Sequence, residues 1–142
     1  MIKLSDTLDL LNFIYLNAEM GLIGIEEILP YVDDNHLKRV IKEQERDYKA
    51  ITNESISLLV ANGHTEKEIS PLAKISTDMM VKMSKKDTST IAKMMMEGNY
   101  KGVIEITAKL NAFKEANMKA KMLANKLLKI EERNLENLKK FI

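Results

Sequence analysis

From Leu4 onward the apolar positions run Leu4, Leu8, Leu11, Tyr15, Ala18, Leu22, Ile25 and Leu29, an alternation of four and three that only a helix places on one face. Asp6 is the expected N-cap, Asp9 adds negative charge in the first turn, and Pro30, which lacks an amide donor, ends the helix. Asp33 or Asp34 then caps a second helix with the stripe Leu37, Ile41, Gln44, Tyr48, Ile51, Ser55 and Leu58, and Gly63 is its expected stop. The short link makes the two an antiparallel hairpin. Gln44 and Ser55 interrupt the second seam, so the core is expected to be polar at mid-height.

The next stretch, residues 64 to 87, is punctuated. Thr65 with Glu68 forms a capping box, and Ser70-Pro71 opens another helical start, which together predict a short helix inside a long connection. A third long helix begins near Asp87 or Thr88 and carries Met96, Val103, Ile106, Leu110 and Phe113. Lys114 to Asn117 is the expected turn, and Asn117 caps a last helix running through Ala120, Ala124, Leu127, Leu128, Leu135, Leu138 and Phe141. Four helices of roughly 25 residues, near 38 Å each, follow from about 1.5 Å per residue. Short links force antiparallel neighbours, whereas a connection as long as the middle one can restart at the other end of the bundle and make helices two and three parallel. The expectation is an all-α four-helix bundle with a single long crossover, treated as one domain over residues 1 to 142.

Composition narrows the function classes. Lys and Arg total 22 against 21 Asp and Glu, a net charge of +1 with no basic cluster, so neither a nucleic-acid footprint nor a polybasic membrane anchor is expected. The chain holds no cysteine, which excludes disulfides, thiolate catalysis, and cysteine-based zinc or iron-sulfur sites. The N-terminus lacks a signal-peptide pattern and no window is expected to reach membrane-spanning length, which points to the cytoplasm and away from membranes. With two histidines, His36 and His64, both expected at the surface, carboxylates must carry whatever chemistry there is.

The run Leu127-Leu128-Lys129-Ile130-Glu131-Glu132-Arg133-Asn134-Leu135 resembles the last helix of the ferritin-like superfamily, in its rubrerythrin-type branch, and Glu43-Gln44-Glu45-Arg46-Asp47-Tyr48 resembles the second. The resemblance implies an E-x-x-H motif on each of those helices and one Glu on each of the others, together holding two irons or manganese ions in the bundle core. The matching positions are Glu19, Glu45, Glu97 and Glu131, with Tyr48 and Asn134 standing where the family has its histidines. Losing both imidazoles implies an incompetent di-iron site: no catalytic residue, no resident cofactor, and a non-catalytic binding or assembly module. The alternative is a carboxylate-rich Fe or Mn site with oxidation, storage or peroxide chemistry. Residues equidistant from the turns put Glu19 level with Glu45 and Glu97 level with Glu131, and a parallel second and third helix would bring all four to one layer.

Facing is a separate matter: Glu131 alone lies on its apolar stripe, while the other three sit beside theirs. Tyr15, Tyr48 and Tyr100 read as packing residues with satisfied hydroxyls. Met79, Met80, Met83, Met94, Met95 and Met96 are an unusual enrichment, read as core filling with at least one of the last three on a flank. Gly98 and Gly102 inside the third helix each cost about 1 kcal/mol relative to Ala, so they serve either close packing in the bundle or the seam of a homo-oligomer.

Overall fold

A computed structural model of the chain describes residues 1 to 64 and 87 to 142. Among them lie four long helices: α1 (Leu4–Ile28), α2 (Asn35–Ala61), α3 (Thr88–Ala112) and α4 (Met118–Leu138). The described residues hold no strand. The expected short helix between α2 and α3, and Met79, Met80 and Met83, lie outside the described residues.

Three of the four helix starts are capped as the sequence leads one to expect. The side chains of Asp34, Asp87 and Asn117 accept the amides of Leu37, Thr90 and Ala120 at 2.8, 2.8 and 2.9 Å, each satisfying a donor that the first helical turn leaves open. Gly63 stops α2 in the left-handed region (φ +98), which lets the His64 amide reach back to the Leu59 carbonyl at 2.9 Å. The exception is α1. Lys3 occupies its N-cap position without a side-chain bond, and Asp6, expected to cap, accepts the Glu115 amide at 3.2 Å instead. Thr7 accepts the Asn117 amide at 2.8 Å, and the Lys3 amide donates to the Glu115 carbonyl at 2.7 Å. The start of α1 is thereby stitched to the α3–α4 turn, which needs those partners more than α1 does.

These bonds fix helix direction. Tyr48 meets Glu131, Asp47 meets Arg133 and Glu54 meets Lys126, so α2 and α4 are antiparallel. The short 113 to 117 turn makes α3 antiparallel to α4 as well, with Asn99 level with Glu131. Hence α2 and α3 run parallel, as the long middle connection leads one to expect. The core is a column of fully buried Leu and Ile, among them Leu11, Ile14, Ile41, Ile106 and Leu127, each contributing about 1.5–3 kcal/mol by leaving water.

Two expectations change. With its following 3-10 turn, α1 (Leu4–Tyr31) is long and apolar enough, by length and composition, to cross a membrane, with a window mean hydropathy of 1.3; a third of that window is buried, where it supplies one wall of the bundle core. The inward stripe of α3 is also rotated. Its buried positions are Ile91, Ala92, Asn99, Gly102 and Ile106, while Met96 and Val103 are half-buried.

Candidate functional site

At mid-height the column of aliphatic side chains gives way to a polar layer. Glu131 from α4, Tyr48 and Gln44 from α2, and Asn99 from α3 are 3, 3, 2 and 4% exposed. The Tyr48 hydroxyl donates to Glu131 Oε1 at 2.8 Å and Asn99 Nδ2 donates to Oε2 at 2.7 Å. Asn99 Nδ2 also reaches the Tyr48 oxygen at 3.1 Å, and Asn134 Nδ2 does so at 3.4 Å. The layer exists because three of the four helices present polar residues on their inward stripes at this level: Gln44 and Tyr48 one turn apart on α2, Glu131 and Asn134 on α4, and Asn99 on α3.

Two glycines make the close approach possible. A Cβ on Gly21 would stand 2.8 Å from the Tyr48 ring, and one on Gly102 would stand 3.0 Å from the Glu131 carboxyl carbon. Glycine therefore lets the Tyr48–Glu131 pair lie between the backbones of α1 and α3. Two further glycines do the opposite. Gly24 and Gly98 have no atom within 4 Å of a built Cβ, and they border a cleft of about 210 Å³ between α1 and α3. Gln44, Tyr48, Asn99 and Glu131 line its floor, while Met20, Met94 and Met95 line its walls.

The electrostatics are those of a buried acid without a counter-ion. Burial raises the Glu131 pKa from its ordinary 4.5 to about 7, opposed by the hydrogen bonds from Asn99 and Tyr48 that favour the ionised form. Among the described residues no lysine, arginine or histidine acts on it. Tyr48 is held well above the ordinary phenol value, first by burial and then by the adjacent carboxylate, so it stays a neutral donor. Hydrogen bonding is also incomplete. Gln44 Oε1 and Nε2 and Asn99 Oδ1 are buried with no partner among the described residues, each an arrangement that costs about 1–3 kcal/mol when left unmatched.

Of the four carboxylates that the sequence singles out, Glu131 is buried in this layer, Glu19 and Glu45 are half-buried, and Glu97 is exposed. Only Glu131 lines the cleft. Among the described residues no three His, Asp or Glu side chains gather as metal ligands do. The layer offers one carboxylate, two amides and a phenol that donates to that carboxylate, a donor set that does not fit a two-ion centre built on four carboxylates and two imidazoles. Glu131 is the inward one of the four, as its place on the apolar stripe leads one to expect, and the expected height is right to within about a half-turn; what the sequence did not show is that α1 and α3 present Gly21 and Asn99 at that level. Asn99 went unnoticed because an apolar stripe is traced through apolar residues. The available signal was Gly102, one turn away inside the same helix, where a side chain would meet the Glu131 carboxyl.

Tyr48 and Asn134, at the positions where the resemblance implies histidines, do come together with Glu131, by hydrogen bonding alone. Gly102 is explained by packing inside the bundle. No family model matches the chain, and neither a curated protein nor a solved structure is significantly similar to it.

Proposed function

We propose that the chain is a ferritin-like bundle whose mid-height layer binds a small molecule in place of a pair of metal ions, and that it acts as a binding module, not an oxidase. The observation carrying this reading is the cleft of about 210 Å³ between α1 and α3, whose floor holds buried polar atoms without protein partners. Apolar walls with a few convergent polar groups and a perturbed acid are the common make-up of a small-ligand site. The size is appropriate to one ring with a short substituent, since engineered apolar cavities of about 150 Å³ accept benzene. The parallel α2 and α3 and the polar layer at one height support the ferritin-like reading of the architecture.

The test is a fragment screen against the full chain, read by thermal shift and by chemical-shift changes at Met20, Met94 and Met95. Binding should be lost in Gly98→Leu, which places a bulky side chain at a cleft-lining position where a Cβ meets no neighbour within 4 Å. A screen with no binder, or binders indifferent to Gly98→Leu, refutes the reading. Iron or manganese retained stoichiometrically through chelator-free purification, and lost with Glu131→Ala, would establish the metal alternative instead.

A further inference from the structure

The hydrogen-bonding inventory of the cleft floor selects the ligand's chemistry. Both amide hydrogens of Asn99 are engaged, by Glu131 Oε2 and the Tyr48 oxygen, and the Tyr48 hydrogen is engaged by Glu131 Oε1. The unused donors at the floor are the two N–H bonds of Gln44. The unused acceptors are Gln44 Oε1, Asn99 Oδ1 and the remaining lone pairs of Glu131. Acceptors are in surplus, and one of them belongs to a carboxyl that loses its proton near neutrality with no cation among the described residues acting on it. An anionic head would meet repulsion and unmatched oxygens. A neutral hydroxyl would satisfy one oxygen.

We propose that the α1–α3 cleft is a binding site for a small primary amine with an apolar body, its ammonium group paired with Glu131 and its body lying between Met20, Met94 and Met95. This rests on the small-molecule reading above and sharpens it. A bare cation would use the same oxygens but would leave the methionine-walled part of the cleft unfilled, and thioethers are poor partners for hard ions. An ammonium supplies the positive charge that the Glu131 carboxylate lacks, and the apolar walls match an organic body.

The charges around the site are few. From α2 the titratable group facing Glu131 is Tyr48, which stays neutral. From α3 Lys101 and Glu105 line the cleft and pair with each other at 3.8 Å, Lys101 being 69% exposed on the rim. The α1 residues lining the cleft carry no titratable side chain. Ammonium binding therefore draws on Glu131 and favours its ionised form. Affinity should rise with pH through about 7 and flatten above it, by roughly tenfold between pH 6 and pH 8.

The experiment titrates the full-length protein with benzylamine, benzyl alcohol and benzoate, which share a body and differ in the charge of the head, by calorimetry at pH 6 and pH 8. Benzylamine should bind at least tenfold more tightly than benzyl alcohol at pH 8, with benzoate weakest. Glu131→Gln should reduce benzylamine to the level of benzyl alcohol, and Gly98→Leu should abolish both. Equal binding of all three, tighter benzoate, or a benzylamine preference that survives Glu131→Gln overturns the amine assignment. In that event benzyl alcohol or benzoate binding that is sensitive to Gly98→Leu would leave the broader small-molecule reading standing. Absence of benzylamine binding also overturns the assignment, and a Glu131-dependent thermal shift with Mg²⁺ or Ca²⁺ alone would then replace it with a bare cation site.

Discussion

Glu131 is ordinary in sequence and unusual in place. Its folded pKa lies above the ordinary carboxylate value, at about 7 against 4.5, so the native state binds this proton more tightly than the unfolded chain does. The stabilising contribution is therefore complete below about pH 4.5 and is lost as pH rises through about 7, an effect on the order of 3 kcal/mol. Glu131→Gln should remove that slope, leaving a variant more stable than the parent at pH 8, as chemical denaturation at pH 5 and pH 8 will show. The glycines separate just as cleanly. Gly98→Ala adds a methyl group with nothing within 4 Å and should stabilise α3 by about 0.5–1 kcal/mol. Gly102→Ala drives a Cβ to 3.0 Å from the Glu131 carboxyl and should destabilise the protein despite the better helix propensity. If the two alanines shift the denaturation midpoint in the same direction, the packing assigned to Gly102 is wrong.

At the scale of elements, capping and tertiary stitching share residues. Asn117 accepts the Ala120 amide through its side chain while its own amide donates to Thr7 Oγ1. Asn117→Ala removes only the cap and should cost about 1 kcal/mol. Thr7→Val removes the acceptor for a part-buried amide and should loosen the start of α1 against the α3–α4 turn, which hydrogen exchange at Asn117 will report as faster opening. The helix boundaries were legible because caps, Pro30 and Gly63 act through local backbone geometry. The facing of α3 was not, because Asn99 and Gly102 hold inward positions for reasons that reside in α2 and α4.

For the whole molecule, parallel α2 and α3 make a distance prediction. With no native cysteine, spin labels at Arg39 and Thr90 should lie at the same end of the bundle and give a short distance. Labels at Arg39 and Asn111 should be offset along the bundle axis by roughly 30 Å, the rise of about 20 helical residues, and give a clearly longer distance. Similar distances for the two pairs, or the reverse order, would contradict the arrangement.

The amino-acid pattern by itself determined the number of long helices among the described residues, their ends apart from the start of α1, and the height at which the core turns polar. These follow from periodicity, capping and chain length, all of which act over a few residues along the chain. The tertiary structure decided what occupies that height. A carboxylate on a stripe becomes a perturbed acid only when its neighbours withhold a cation, and Gly24 and Gly98 become walls of a cleft only when α1 and α3 are set side by side. Glu131 was recognisable as inward, whereas Asn99 and Gly21 were not. The inward role of a polar or minimal side chain is conferred by the partner it touches, and that partner lies on another helix.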